Sequence, residues 1–210
     1  MSFPIVEFDP EVSQSLLHEV MEQSGQNLQA CYQCRRCAAG CPVGEETGVS
    51  PDRLIRMILL GEKEEVLNNQ LVWKCLACYT CGTRCPNGIQ TAKITETLKQ
   101  MCKQAGLAPA APKIDAFHHS FMSATSHFGR FNELEFMGLY EMENTREAIK
   151  RGDWKAIAKE MKDQAKLGLT MIKKKRMHMG LEKVKKMSEV KGLYNKAKAR
   201  SKDRWAGPVK

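Results

Sequence analysis

Eight of the nine cysteines fall into two runs with the same spacing, and these runs are the part of the sequence best suited to chemistry. The first run is CYQCRRCAAGCP, residues 31–42, and the second run is CLACYTCGTRCP, residues 75–86. Each has the form C-x2-C-x2-C-x3-C-P, which is typical of proteins that hold two [4Fe–4S] clusters. In that pattern three thiolates of a run bind one cluster, and the fourth cysteine binds the other cluster.

The proline that follows each fourth cysteine supports this division of the ligands. Proline has no N–H group and restricts the residue before it, so Cys41 and Cys85 are predicted to lie at turns that lead away from their own run. We therefore predict two [4Fe–4S] clusters whose ligands are taken crosswise from the two runs. The first cluster has Cys31, Cys34, Cys37 and Cys85, and the second has Cys75, Cys78, Cys81 and Cys41.

Two other uses of paired cysteines fit the sequence less well. A disulfide framework is typical of secreted proteins, but MSFPIVEFDP has neither the basic start nor the apolar run of a secretion signal. Four-cysteine zinc sites need only paired C-x2-C units and leave the third cysteine and the proline of each run unexplained. The ninth cysteine, Cys102, follows Ile94, Leu98 and Met101 at helical spacing, which predicts a buried thiol.

Helices are predicted to position both runs, because no stretch shows a convincing strand alternation. Between the runs, Ser50 can cap a helix, Pro51 suits its first turn, and an apolar face precedes Gly61. A helix is predicted from Asp9 as N-cap to residue 25, with Val12, Leu16, Leu17 and Val20 on one face. A second helix, which contains Cys102, is predicted to end at Gly106. A third is predicted over residues 154–172, with Ile157, Met161, Ala165 and Leu169 on one face. Phe117, Phe121, Phe128 and Phe131 are predicted near one face, as core or as a subunit interface.

These elements predict an all-α protein with three parts. Residues 1–107 form an alpha-helical ferredoxin domain with two clusters, residues 108–176 a helical extension, and residues 177–210 a basic tail. Residues 171–210 contain fourteen Lys or Arg and three acidic residues, which gives them a net charge of +11. Since the net charge of the whole chain is +9, residues 1–170 have a net charge of about −2. Such a tail can bind nucleic acid, an anionic membrane surface or an acidic protein, and we predict that it docks on an acidic partner protein. A solvated helical face with a partly disordered end is the alternative.

Catalytic motifs do not stand out from this sequence. It has no glycine-rich phosphate or dinucleotide loop and no serine–histidine–acid arrangement. His118, His119 and His127 follow no ligand spacing with the cysteines, so surface or interface roles are predicted for them. Arg35, Arg36, Lys74 and Arg84 lie in or beside the runs, where positive charge favours the reduced state of a cluster. The chemistry that the sequence predicts is therefore electron transfer.

With these residues, the sequence resembles the C-type iron–sulfur subunits of heterodisulfide reductases and of heterodisulfide-reductase-like complexes. The resemblance covers residues 28–107 and is carried by CYQCRRCAAGCPVG, SPDRLIRMILLGEKEEVL and VWKCLACYTCGTRCPNGI. AFHHSFMSATSHFGR is also similar to the extension of some bacterial members, including those of sulfur-oxidising complexes. The resemblance implies a subunit that is not an enzyme on its own. It also implies that such a subunit relays electrons between a flavin-bearing, iron–sulfur A-type subunit and a cysteine-rich, catalytic B-type subunit.

Two alternative functions stay open at this point. One is the iron–sulfur subunit of another flavin dehydrogenase, of the fumarate or glycolate type, although no extra [2Fe–2S] domain is recognisable. The other is a nucleic-acid or interaction protein with structural clusters, whose basic tail binds phosphate in a salt-sensitive way. The sequence predicts no transmembrane segment and a location in the cytoplasm, or at the membrane periphery through its complex.

Overall fold

The computed structural model describes residues 10–152, 154–174, 176 and 183–204. The chain divides into two compact units, of which the first ends at residue 112 and the second begins at residue 113. Within the described residues every regular element is a helix and none is a strand, so the predicted all-α fold class is confirmed. The predicted boundaries at residues 107 and 176 stay predictions.

The first unit holds seven of the helices that the structure describes. They are α1 (Pro10–Ser24), α2 (Gly44–Thr47), α3 (Pro51–Leu60), α4 (Lys63–Leu67), α5 (Gln70–Lys74), α6 (Thr80–Arg84) and α7 (Thr91–Gln104). Two short 3-10 turns, Leu28–Ala30 and Ala38–Gly40, complete it. The cysteine runs therefore lie between short elements, and the longer helices α1, α3 and α7 support them.

The core of the first unit forms where α1, α3, α5 and α7 pack together. Its fully buried side chains include Leu16, Val20, Leu54, Ile58, Leu71, Val72, Trp73, Ile94, Leu98 and Met101. Each large apolar side chain contributes about 1.5–3 kcal/mol when it is fully buried. Cys102 belongs to this core and its Sγ donates to the Leu67 carbonyl at 3.0 Å, so the predicted buried thiol is confirmed.

The segment between the runs folds as four helices, α2, α3, α4 and α5, where the sequence predicted one. Pro51 stands at the first turn of α3 as predicted, but the Ser50 side chain makes no capping hydrogen bond. The helix ends at Gly61, whose φ of 78° is left-handed, and the Glu62 N–H bonds the Met57 carbonyl at 3.1 Å. This C-terminal motif stops α3 because it satisfies carbonyls that would otherwise lack partners.

Gly61 also allows the end of α3 to pack closely against α1. A Cβ at Gly61 would lie 2.5 Å from the Ser13 Cα and 2.8 Å from the Ser13 N. The Ser13 hydroxyl also donates to the Leu59 carbonyl at 2.8 Å, which holds α1 against the end of α3. Gly61→Ala should therefore destabilise the protein by about 2–4 kcal/mol, which combines left-handed strain with a backbone clash.

Urea unfolding of the anaerobically purified chain measures this effect. Gly25→Ala is the matched control, because Gly25 has a similar φ of 65° and its Cβ would meet nothing within 4 Å. The control should lose only the backbone strain of about 1–2 kcal/mol. Equal losses in the two variants would contradict the packing argument.

The second unit contains α8 (Pro112–Phe128), α9 (Glu133–Arg151), α10 (Trp154–Lys173) and α11 (Met187–Arg204) within the described residues. The helix predicted over residues 154–172 is confirmed by α10. Residues 177–182 and 205–210 of the basic tail lie outside the described residues, as do Asp9 and the side chains of Val12 and Ile157. None of the described helices is long and apolar enough to cross a bilayer.

Three phenylalanines of the predicted aromatic stripe lie on α8, and Phe131 lies in the connection between α8 and α9. Gly129, with φ of 75°, ends α8 after Phe128, and Asn132 starts α9 by accepting from the Glu135 N–H at 3.0 Å. The resulting ring cluster consists of Phe117, Phe121, Phe131, Phe136 and Tyr140. Phe128 does not share this cluster and instead lies under the ammonium of Lys183, 5.6 Å from its ring centroid. Phe128 is the last residue of α8 and stands seven residues after Phe121, which places it on the same face of this helix as predicted, although it lies outside the ring cluster.

Candidate cluster sites

The eight cysteines of the two runs line two separate pockets, four in each. The first pocket, about 370 Å³ including its open mouth, is lined by Cys31, Cys34, Cys37 and Cys85. The second pocket, about 390 Å³ on the same measure, is lined by Cys41, Cys75, Cys78 and Cys81. Each pocket thus joins three cysteines of one run with the fourth cysteine of the other run, and none of the cysteines forms a disulfide. These are the two sets predicted as ligands, and their binding of clusters stays a prediction.

Both runs curl around their pocket with the same unusual backbone. The residues directly before and after the second cysteine of each run have positive φ although none is glycine: Gln33 (53°), Arg35 (61°), Ala77 (50°) and Tyr79 (58°). A left-handed conformation costs an L-residue roughly 1–2 kcal/mol, and such strain is often found at binding sites. Turns of this kind can form concave nests of backbone N–H groups, which also occur at Fe–S sites. The two loops are therefore shaped for an anionic group at their centre.

The left-handed residues of the second run offer a direct test at Ala77. A β-branched side chain is a strong outlier at positive φ, whereas glycine adopts it freely. Ala77→Val should therefore open the second run and speed the loss of iron to a chelator by about tenfold, which corresponds to 1.4 kcal/mol. Ala77→Gly is the control and should keep iron at least as well as the wild type. A valine variant that retains iron normally would contradict the role of this conformation.

Buried residues anchor the first cysteine of each run. The Cys31 N–H bonds the carbonyl of Leu28 at 3.1 Å, and the Cys75 N–H bonds the carbonyl of Leu71 at 3.0 Å. Both leucines are fully buried in the core. Asn69 fixes the start of α5 because its side chain accepts from the Leu71 N–H at 2.8 Å. The core of the first unit thereby determines where each run begins.

The fourth cysteines leave their runs at turns, as the prolines predicted. Cys41 and Cys85 are extended, with ψ of 116° and 122°, which is the conformation favoured before proline. Each carbonyl then accepts from a glycine N–H three residues on, Gly44 at 3.4 Å and Gly88 at 3.1 Å. The predicted turns at Cys41 and Cys85 are confirmed, and they direct these cysteines toward the pocket of the other run.

Contacts between the runs hold the two pockets together. The Arg84 guanidinium packs on Gly40, where a Cβ would lie only 2.5 Å from Nη1. The Gln26 side chain accepts from the Gln90 N–H at 2.8 Å, and the Asn87 amide donates to the Ala30 carbonyl. Segments that flank one run are therefore bonded to segments that flank the other.

The donor set and the shape of the pockets fit [4Fe–4S] clusters. Among the described residues no three Cys, His, Asp or Glu side chains converge closely enough to hold a single metal ion. The cysteines instead surround a shared space, as a cluster requires, because each of its four irons takes a different thiolate. Cys34 and Cys78, the central residues of the two curled loops, are exposed, and the other six are half-buried. Both pockets consequently open to the protein surface at equivalent positions.

The pKa values of the thiols depend on their surroundings. Burial raises the pKa of Cys37 to about 11, and the nearby Asp52 carboxylate adds to this effect. Burial also raises the pKa of Cys41, whereas hydrogen bonds from the side chain and backbone of Thr80 lower the pKa of the exposed Cys78. Since clusters bind thiolates, loading of Cys37 and Cys41 releases protons that these thiols otherwise hold.

Asp52 is a pocket residue that the sequence did not reveal. It lines the first pocket, its exposed fraction is 8%, and its Oδ1 atom has no hydrogen-bond partner among the described residues. Its Oδ2 lies 3.9 Å from the Arg35 Nε, so one of the basic residues beside the first run is paired with it. A buried acid in the first turn of a helix would ordinarily be interpreted as a favourable partner of the helix dipole, which is why the sequence did not identify it.

Other side chains around the pockets have simpler roles. Gln33 was also missed, and its amide donates to the Cys31 Sγ at 3.3 Å. Lys74 is paired with the exposed Glu46 at 2.9 Å, which reduces its effect on the second pocket. His119 pairs with Glu143 at 2.6 Å and His127 pairs with Glu135, so these two histidines have acidic partners within the second unit. Their predicted surface roles are consistent with their exposure.

Residues 27–89, which contain both runs and both pockets, match the family model of the 4Fe-4S dicluster domain. This part of the chain is similar to the 4Fe-4S dicluster domain family. The match supports an iron–sulfur protein with a ferredoxin-like domain, and it includes all eight cysteines that line the two pockets.

Curated relatives extend the likeness to heterodisulfide reductases. The chain is 34% identical over 104 residues to the second C-type iron-sulfur subunit of the CoB--CoM heterodisulfide reductase of Methanocaldococcus jannaschii, covering 46% of this chain and 55% of the relative. It is 35% identical over 97 residues to the C2 subunit of the H(2)/formate:CoB-CoM heterodisulfide,ferredoxin reductase of Methanococcus maripaludis, covering 46% and 52%. With the C-type iron-sulfur subunit of the Methanopyrus kandleri reductase it shares 29% over 127 residues, covering 60% and 65%.

The predicted resemblance to the C-type subunits of heterodisulfide reductases is therefore confirmed, and the chain spans between about half and two thirds of the length of these relatives. The printed names of these relatives describe C-type subunits of heterodisulfide reductases.

Proposed function

We propose that this chain is an electron-transfer subunit that relays single electrons through two [4Fe–4S] clusters in a heterodisulfide-reductase-type complex. The observation that carries the proposal is the grouping of the eight cysteines into two pockets, each drawing on both runs. Bound there, the clusters would supply one-electron carriers of low to moderate potential. The chain itself provides the thiolates, the curled loops and the charges beside them.

The partners in this proposal are a flavin-bearing, iron–sulfur A-type subunit and a cysteine-rich B-type subunit. Flavins exchange two electrons with many substrates, and one-electron carriers couple them to a separate site. Disulfide or thiol chemistry would take place in the B-type partner, in sulfur metabolism as one setting, and this chain would not be an enzyme on its own. The names of the curated relatives support partners of this general kind.

The basic tail is assigned to partner docking in the same proposal. Its described helix α11 carries several exposed lysines, such as Lys191 and Lys196, which suit an acidic surface of a partner protein. Truncation after Leu169 should weaken assembly of the complex, as measured by size-exclusion chromatography. A complex that assembles normally without these residues would contradict this part of the proposal.

Anaerobic purification of the chain with its partners tests the main proposal. Iron and sulfide analysis should give about eight irons per chain, and dithionite titration followed by EPR should show two interacting reduced clusters. The co-purified proteins should include a flavoprotein and a cysteine-rich protein. Zinc in place of iron, or clusters that accept no electron, would contradict the proposal, and a fumarate- or glycolate-type dehydrogenase as the partner would favour the alternative.

A further inference from the structure

A broad groove lined partly by arginines lies beside the first run. It encloses about 2170 Å³, including its open mouth, between the loop of residues 33–48 and the beginning of α3. It shares Arg35 and Asp52 with the lining of the first pocket and Cys41 with that of the second. The groove therefore adjoins both candidate cluster sites and opens to solvent.

The charges that reach solvent in this groove are mostly positive. Arg53 and Arg56 line it from α3, where they are three residues apart and therefore on the same helix face, and both are exposed. Neither makes an ion pair with another residue that the structure describes. Arg35 adds a third positive charge, and the exposed Arg36 lies next to it along the chain.

Two carboxylates lie in the same lining and reduce this charge only in part. Glu45 is exposed, whereas Asp52 is buried and lies 3.9 Å from the Arg35 guanidinium. The exposed charged side chains in the lining are therefore three arginines and one glutamate, and the exposed Arg36 lies beside them. The opposite face of α3 packs into the core through Leu54 and Ile58, so Arg53 and Arg56 are directed outward from a fixed helix.

The corresponding edge of the second run has a different character. Between Cys75 and Cys81 there is no charged residue, and Leu76 and Tyr79 are 66% and 48% exposed. The two runs have the same spacing and the same left-handed positions, so this difference comes from side chains alone. Of the basic residues beside the second run, Lys74 is paired with Glu46 and the Arg84 guanidinium packs on Gly40 of the first run, so the positive surface lies at the edge of the first run.

We propose that the arginine-lined groove docks an acidic face of a redox protein partner, which exchanges electrons with the cluster site of the first pocket. The inference rests on the proposed function and adds where one partner binds and what its surface carries. Complementary charge accelerates protein association and fixes orientation, and arginine suits such interfaces. A protein surface fits better than a small anion, because the arginines stand on two separate elements around a wide, open groove.

Paired variants test the groove in the full chain. Arg53→Gln with Arg56→Gln removes two of its charges, and Lys93→Gln with Lys99→Gln removes two charges from α7, outside the groove. Each variant is mixed anaerobically with the flavoprotein that co-purifies with the wild-type chain. Binding is measured by titration calorimetry, and reduction of the clusters by the reduced flavoprotein is followed by stopped flow at increasing NaCl.

The groove variant should bind more weakly and be reduced about tenfold more slowly at low salt, and the difference should vanish at high salt. The α7 variant should stay within about twofold of the wild type, as expected for a general loss of surface charge. Equal behaviour of the two variants would overturn the proposal. Unchanged flavoprotein binding, together with inhibition by inorganic phosphate at constant ionic strength, would make the groove a small-anion site and overturn it as well.

Dithionite reduction and iron content of each variant separate this proposal from the proposed function. If the groove variant binds the flavoprotein as tightly as the wild type, and dithionite still reduces its clusters normally, only the proposed docking surface is contradicted. Clusters that dithionite cannot reduce in the wild-type chain would defeat the relay itself, whatever the binding measurements give.

Discussion

Replacing Cys85 with alanine should remove the cluster of the first pocket, although Cys85 lies in the second run. The first pocket is lined by Cys31, Cys34, Cys37 and Cys85, and loss of one thiolate from a four-thiolate site leaves one iron without its protein ligand. The iron content should fall from about eight to about four per chain. The EPR spectrum of the remaining reduced cluster should match that of Cys37→Ala and differ from that of Cys81→Ala.

The reciprocal variant completes the test. Cys41→Ala should give the spectrum of Cys81→Ala, because both residues line the second pocket. Cys102→Ala is the control, since this buried thiol lies in the helical core and lines neither pocket, and it should keep about eight irons. If Cys85→Ala instead resembled Cys81→Ala, each run would hold its own cluster and the crosswise assignment would be wrong.

Asp52→Asn should raise the reduction potential of the first-pocket cluster while leaving the second unchanged. Reduction adds negative charge to a cluster, and the Asp52 carboxylate in the lining opposes it. Removing the charge without changing the side-chain shape should shift the equilibrium about tenfold toward the reduced state, or about 59 mV for one electron. A redox titration monitored by EPR measures the two potentials separately.

Glu45→Gln provides the control for this experiment. Glu45 is exposed and lines the neighbouring groove, so solvent should screen its charge and the shift should be much smaller. Equal shifts in the two variants, or a fall in potential in Asp52→Asn, would contradict the direct effect of the buried carboxylate. Arg35→Gln should shift the potential in the opposite direction, because Arg35 is the partner of Asp52.

The grouping of the cysteines was accessible from sequence because it depends on spacing along the chain. Two runs with identical cysteine spacing, each with a proline after its fourth cysteine, were enough to predict the turns at Cys41 and Cys85 and the two sets of four cysteines that line the pockets. The helical frame was also predictable, since Leu16, Val20, Ile94 and Leu98 recur at helical spacing and are buried in the structure.

Other features of the sites depend on contacts between distant segments. Asp52 lies beside Cys85 in one pocket lining although 33 residues separate them in sequence, and no local pattern predicts this neighbourhood. Gln33 and Ala77 could not be recognised as left-handed from their residue types, because glycine and asparagine are the usual residues there. In both runs the loop closes around its pocket, and this closure imposes a left-handed backbone on residues whose types do not favour it.

Some boundaries were missed although the sequence contained their signals. Gly61 was recognised as the end of a helix, but the short helices α4 and α5 that follow it were not separated, since each has only five residues. The break in the aromatic segment was signalled by Gly129 and by the N-x-x-E pattern of Asn132 and Glu135. Both signals indicate a helix end followed by a new cap, and they place Phe128 on a different helix from Phe136.

The joining of both runs in each pocket has a consequence for biogenesis. Neither pocket is complete until the intervening segment, with α2, α3, α4 and α5, has folded and brought the last cysteine of each run to the pocket of the other run. During translation the first run leaves the ribosome with three cysteines of one site and a single cysteine of another. A maturation factor that delivers preassembled clusters would therefore find no complete acceptor until the second run had emerged, and we expect both clusters to be inserted after translation and in close succession.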